Sequence, residues 1–480
     1  MATLTSRAAR GVRWSAVSQV ALQTMQVGSL AILARLLTVA DYGVMGMAVL
    51  VTGFAGIFRD LGTSAVVVHH RDPQPRFLSS VFWLNVSVGI VAAVTVALVA
   101  PWAAAYFREP SVGLVLRVLA LNFPIAGICV VNQSLLQRHM RFGALAVAEV
   151  GAAAVGYLVG VTAALLHQGV WSLVYQSLAM NLATMVLLFA QSGFRPKFVM
   201  DLDELRSVRG YTGNLTGFML VNYFARNADN LLVGRYLGDV SLGHYTMAYK
   251  VLLYPLRTIT GLVGRVLFPA FSAIKDDHSA FRVAYLRAVG LISFLTFPLF
   301  LGVMALAVPA VNVVLSPKWQ PVAPLILVLA PVGLVQSVVS SVGSIYTATG
   351  KTAVMFRVGL VSEILPVLGF AVGLHWGVLG VAVAYFVVEV SLSPFNLFFA
   401  VRQIELPLPH VLRPVWRPFL CAVGMALVLH VVSARVLTAL GKGLGIGALA
   451  LCGALVYAGL SWWVNRKQAK DLILMACARV

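Results

Sequence analysis

VGAAAVGYLVGVTAALLHQGV, residues 150–170, runs for twenty-one residues without a Lys, Arg, Asp or Glu. About 20 apolar residues suffice for a helix to cross a bilayer's hydrocarbon core, so the stretch predicts a membrane span ending in a turn. Offset by 208 positions, VGLVSEILPVLGFAVGLHWGV, residues 358–378, matches it at eight of twenty-one positions, including His167/His375, Gly169/Gly377 and Val170/Val378. A second block, Arg35 to Ala48, matches at five of fourteen positions with an offset of 200: Arg35/Arg235, Leu37/Leu237, Gly43/Gly243, Met47/Met247 and Ala48/Ala248. Two blocks repeated in the same order predict an internal duplication with a unit of six helices. An even number of spans gives both copies one orientation, related by a pseudo-two-fold axis along the membrane normal. That is the plan of a two-lobed transporter with its site between the lobes.

The rest of the chain agrees with this plan. Of its 480 residues 60% are hydrophobic and 11% charged, and the mean hydropathy is +0.91, far from the balance of soluble domains. Forty-one glycines scattered through apolar runs suit closely packed helices in lipid, and the alternating strands of a membrane β-barrel are not seen. The expected fold class is all-α and polytopic, with about fourteen spans. They include span 1 at 14–36, span 2 at 44–66, span 7 at 211–234 and span 8 at 244–268. The organisation expected is an N-lobe at 1–200, a C-lobe at 201–405 and an accessory helix pair at 406–480. Such a chain has no room for a soluble catalytic domain.

Net charge is +19, which in a soluble protein would raise the question of nucleic acid. Here the charges sort by membrane side. On the fourteen-span map twenty-three of the thirty-five Lys and Arg lie on the side of the N-terminus, five on the other side, and seven inside spans. By the positive-inside rule both termini are cytoplasmic. The apolar run after Arg7, Arg10 and Arg13 reaches Leu36 without a clear cleavage site and reads as a retained first helix. Cys129, Cys421, Cys452 and Cys477 show no metal-ligand spacing and read as small hydrophobes. Trp14, Trp102, Trp462 and Trp463 near span ends read as interfacial anchors.

Polar residues inside spans mark the functional region, because a charged side chain at the bilayer centre costs about 2.5–3.5 kcal/mol on insertion scales. Gln19, Gln23 and Gln26 share one face of span 1. Asn222, Arg226, Asp229 and Asn230 do so in span 7, and Lys250, Tyr254, Arg257, Gly261, Gly264 and Arg265 in span 8. The economical arrangement is a water-filled vestibule between the lobes, more cationic on the C-lobe wall. Its cationic residues would be Arg226, Arg257, Lys250 and Arg59, with Gln19, Gln23, Gln26, Asn222, Asp229, Asn230 and Tyr254 as its polar lining. Each has a structural alternative. Lys250 and Arg265 can snorkel, Arg226 can pair with Asp229 within its own helix, and Arg59 with Asp60 can mark a helix terminus. Asp229, at the same depth as Arg226 and Lys250, is expected to pair with one of them. Glu149, Glu363 and Glu389 are either ion-coupling acids or satisfied polar groups. Pro255, Pro298, Pro331 and Pro366 are hinge or kink candidates.

No enzyme motif is present: the nine His are scattered, and HExxH, GxSxG and P-loop patterns are missing. A membrane glycan polymerase or ligase would need an extended outer loop, whereas the outer loops here are short. A cation-coupled drug antiporter would want an acidic cavity, whereas these stripes are net basic.

NYFARNADNLLVGRYLG, Asn222 to Gly238, followed by GHYTMAYKVLLYPLRTITGLVGRVLFPAFSAIKDD, resembles the Wzx-type oligosaccharide flippases. The branch it is similar to is that of the colanic-acid exporters, within the multidrug/oligosaccharidyl-lipid/polysaccharide exporter superfamily. RDLGTSAVVVHHRD, Arg59 to Asp72, and TATGKT, Thr347 to Thr352, carry the same resemblance. It implies a twelve-helix two-lobed core plus an extra pair in a bacterial inner membrane. It further implies movement of polyprenyl-pyrophosphate-linked oligosaccharide for exopolysaccharide or lipopolysaccharide biosynthesis, with membrane lipid and polysaccharide polymerase and export machinery as partners and no nucleic acid partner. No cofactor is expected, and neither H+ nor Na+ is singled out as coupling ion.

Overall fold

The computed structural model describes residues 2–57, 63–69, 74–199, 201, 223–224, 226–252, 271, 274, 277–466 and 468. Among them every regular element is helical. The first are α1 (Ala2–Leu36), α2 (Val39–Gly56), α3 (Thr63–His69), α4 (Pro75–Phe107), α5 (Pro110–Leu119), α6 (Asn122–Arg138), α7 (Phe142–Leu165) and α8 (Trp171–Ser192). Helix α9 occupies 226–252. It is followed by α10 (His278–Ala305), α11 (Ala307–Ala310), α12 (Val322–Val339), α13 (Val342–Ala348), α14 (Thr352–Gly373), α15 (Gly377–Val401), α16 (Leu408–Leu440) and α17 (Lys442–Val464).

Eleven helical stretches of the described residues are long and apolar enough to cross a membrane, and one of them, Ala353–Ile404, holds both α14 and α15. Expected spans 7 and 8 fall on 211–268, of which 223–224 and 226–252 are described. The chain is a multi-pass helical membrane protein. Among the described residues, α2, α5 and α10 begin at capping side chains. Thr38 and Asp41 form a reciprocal capping box at α2. Asp277 accepts from the backbone of Ser279 and Ala280 at the start of α10, both at 3.0 Å. Those bonds hold its carboxyl below the usual carboxylate range.

Two compact units emerge, Met1–Gly243 and His244–Val480. In the first, α1 packs on α7, α7 on α8, α8 on α6 and α6 on α4. In the second, α14 packs on α15, α15 on α12 and α12 on α10. The offset of 208 carries α7 onto α14 and α8 onto α15, so equivalent helices take equivalent neighbours in each unit. Helices α16 and α17 pack on each other and on α10.

Backbone geometry shows why particular residues recur in both copies. Gly169 and Gly377, equivalent in the repeat, both adopt left-handed φ, +55° and +70°, at the turns into α8 and α15. Gly43 sits so close to the carbonyl of Asp239 that no side chain fits, and Gly243 sits likewise against the carbonyl of Val39. Positions 39 and 239 are themselves equivalent at the 200-residue offset. The contact is therefore made twice and reciprocally, as a two-fold relation between the two segments requires. Met47, Met247, Ala48 and Ala248 are all fully buried.

Two apolar runs that hydropathy predicts as single spans, 112–134 and 322–346, are broken. Residues 120–121 separate α5 from α6, and residues 340–341 separate α12 from α13. At the second break Ser337, Ser340 and Ser341 each bond a carbonyl three residues back, local bonding that competes with the helical ladder.

Candidate functional site

Helix α1 presents Gln19 exposed and Gln23 and Gln26 half-buried. At 100° per residue their stripe lies in a different sector from the exposed apolar Val17, Val20 and Val27. The glutamines are thus not on the most exposed apolar side of the helix.

At the start of the next polar stripe, Tyr223 is anchored on α2. Its hydroxyl donates to the Leu50 carbonyl at 2.6 Å, and its ring lies 6.0 Å from that of Phe54. Gly53 leaves room for the phenol, since a Cβ there would be 2.6 Å from the hydroxyl oxygen. Three residues later comes Arg226, exposed, with no hydrogen bond or ion pair to any described residue. The intrahelical Arg226–Asp229 pair weighed from the sequence is therefore not formed. Asp229 is buried, and its Oδ1 accepts from the backbone N–H of Asn230 at 2.7 Å and from its Nδ2 at 3.1 Å. That side chain's own oxygen, Asn230 Oδ1, is buried without a donor among the described residues. A buried acceptor left in this state calls for a hydroxyl or N–H from water or a ligand. Lys250, exposed, lies near the far end of α9. Arg59, Asn222, Tyr254 and Arg257 lie outside the described residues.

Removing the Tyr223 hydroxyl tests the anchor. Tyr223→Phe is expected to cost about 0.5–1.5 kcal/mol, read as a lowered midpoint of thermal unfolding in detergent with the amount of inserted protein unchanged.

The second unit holds a polar and aromatic cluster that sequence reasoning missed. Gln336 of α12 donates from Nε2 to the Tyr385 hydroxyl of α15 at 2.5 Å. Tyr385 stacks with Tyr249 at 6.3 Å, and Tyr249 meets Tyr245 at 4.8 Å. Tyr249, Gln336 and Tyr385 line, with Leu329 and Val332, a space with room for about one water. The only signal was the i, i+4 spacing of Tyr245 and Tyr249, which also suits ordinary core. In the first unit, Asn122 at the α5–α6 break donates to Ser177 at 3.2 Å and accepts from Asn181 at 2.8 Å.

A family model described as "Polysaccharide biosynthesis protein" matches residues 32–324, more than half of the chain. The chain belongs to that family. Relatives match it over most of its length. The succinoglycan biosynthesis transport protein ExoT of Rhizobium meliloti is 26% identical, over 98% of this chain and 96% of its own. The lipopolysaccharide biosynthesis protein WzxC of Escherichia coli is 25% identical, over 84% and 82%. Among solved structures, the lipid II flippase MurJ in an inward closed conformation superposes with a TM-score of 0.74 at 15% identity. That match covers 96% of this chain and all of the other, and it places the family member in the MurJ-like fold.

Proposed function

We propose that the chain is a transporter, not an enzyme, that carries polyprenyl-pyrophosphate-linked oligosaccharide across the bacterial cytoplasmic membrane by alternating access. The oligosaccharide is used for exopolysaccharide or lipopolysaccharide synthesis. The observation that carries this reading is the end-to-end similarity to a polysaccharide transport protein on a MurJ-like fold. A pyrophosphate bearing sugars cannot enter hydrocarbon unaided, while the prenyl tail is at home there, so the carrier has only the polar end to shelter. Arg226, Arg257, Lys250 and Arg59 receive the pyrophosphate through charge-assisted hydrogen bonds. The guanidinium of Arg226, without a hydrogen bond or ion pair to any described residue, supports this assignment. Gln19, Gln23, Gln26, Asn222, Asp229, Asn230 and Tyr254 serve the sugars, and Asn230 Oδ1, without a donor among the described residues, is suited to a sugar hydroxyl. Both termini face the cytoplasm, as the sorting of Lys and Arg indicates. The working division remains 1–200, 201–405 and 406–480, and it is the repeat that supports it.

Deletion of the gene tests the reading. The lipid-linked oligosaccharide should accumulate in membrane extracts and the surface glycan disappear, with both restored by the reintroduced chain. Unchanged surface glycan without it would reject the proposal.

A further inference from the structure

Helices α4 and α7 begin, and α6 and α8 end, at one side of the first unit, which carries Arg76, Arg138, Arg141, Arg195 and Lys197. Two of these are committed to the fold: Arg138 donates to the Val67 carbonyl at 3.2 Å and Arg141 to the Gln191 carbonyl at 2.9 Å. Beyond α8, Gly193 turns the chain with φ +71°, and the residues after it form a strap along the first turns of α4. Trp83 Nε1 donates to the Lys197 carbonyl at 2.9 Å, the Lys197 N–H to Ser79 Oγ at 3.1 Å, and the Asp201 N–H to Ser80 Oγ at 2.8 Å. Phe198 stacks on Trp83 at 4.9 Å, and Phe194 lies 6.2 Å from Phe82.

The pinned strap sets Arg195 at the edge of a groove of about 560 Å³, walled by Phe82, Ile128, Met185, Val186 and Phe189. That size is in the range of small-molecule pockets. The walls are apolar, and the single charge is Arg195, exposed and without a hydrogen bond or ion pair to any described residue. Val186 and Phe189 lie about 5–9 Å along α8 from its end, a depth at which a lipid's head group gives way to its chains.

We propose that this groove holds one resident anionic phospholipid, its phosphate on the Arg195 guanidinium and the upper part of an acyl chain against the α4, α6 and α8 walls. A guanidinium fork is made for phosphate, and basic pockets between membrane helices select acidic head groups. The alternative occupant, the prenyl carrier itself, would have to enter and leave. Phe82 belongs to a packed cluster with Val131 and Leu135, and the strap is tied to α4 at Ser79, Ser80 and Trp83, so these walls suit a lipid that stays.

Native mass spectrometry of the detergent-purified full chain, with phosphatidylglycerol, phosphatidylcholine and polyprenyl phosphate as added probes, tests this. One phosphatidylglycerol should be retained in preference to phosphatidylcholine. Arg195→Gln should weaken its retention about fivefold, the worth of one basic residue at a lipid surface. Val186→Trp should displace it by filling the groove while leaving the charge in place, and Arg417→Gln, an exposed arginine on α16, should change nothing. Equal retention of the two phospholipids, or an equal loss in Arg417→Gln, would overturn the proposal. Preferential, Arg195-dependent retention of polyprenyl phosphate would overturn it too, assigning the groove to the carrier lipid.

Discussion

Arg257→Ala is expected to abolish glycan export while the protein remains at normal abundance in the membrane. On the expected span 8, 244–268, Arg257 would stand about thirteen residues, or ~20 Å, from the outer end, and the sequence places no acid within one helical turn of it. Truncating one partner of a desolvated charge pair costs about 2–5 kcal/mol, enough to lower export by at least an order of magnitude. Arg257→Lys keeps the charge but loses the bidentate fork, so it should restore export only in part. The structural rival is that Arg257 holds carbonyls freed by Pro255 or pairs with an acid on another helix, in which case the alanine variant would be lost from the membrane. Abundance and export measured together separate the two. Full export from a well-expressed alanine variant would remove Arg257 from the head-group role.

The largest expected effect on folding comes from the reciprocal glycine contact. Gly43→Ala and Gly243→Ala each drive a methyl into a backbone carbonyl, of Asp239 and Val39 respectively, and a carbonyl in a helix cannot rotate away as a side chain could. Each should destabilise by about 1–3 kcal/mol or more. Because both methyls separate the same two segments, the double variant should cost less than the sum of the singles. Gly28→Ala is the contrast. Nothing lies within 4 Å of the added Cβ, so the change should be neutral or stabilise by roughly 0.5–1 kcal/mol through helix propensity. Thermal unfolding in detergent reads all four variants. Equal midpoints for Gly28→Ala and Gly43→Ala would refute the contact.

The same glycines explain how much of the architecture could be read from the chain. Gly43 and Gly243 survive in both copies because a carbonyl occupies the place of a side chain, and Gly169 and Gly377 because both turns demand left-handed φ. Such backbone constraints fix residue identity, so they print the duplication directly into the sequence. Helix periodicity likewise exposed the glutamine stripe of α1. What hydropathy could not register was interruption within uniformly apolar runs: the α5–α6 break and the α12–α13 break leave mean hydropathy unchanged, although Asn122 and the serines at 337–341 mark them. The strap after α8 was equally hidden. Its bonds to Ser79, Ser80 and Trp83 span more than a hundred positions, a separation that no local pattern in the sequence registers. The tyrosines at 245, 249 and 385 carry no distinguishing pattern in the sequence, because aromatic residues in apolar helices are ordinarily core, and the hydrogen bond from Gln336 comes from a helix distant in the chain.

The most direct test of the transport claim is reconstitution. The purified chain would be placed in sealed vesicles loaded with a fluorescent polyprenyl-pyrophosphoryl oligosaccharide, and a membrane-impermeant quencher added outside. If the chain moves the head group between leaflets, quenching should go well beyond the outer-leaflet fraction, and Arg257→Ala vesicles should stop at that fraction. Wild-type vesicles that also stop there, under every ion gradient of H+ or Na+ applied, would contradict the account.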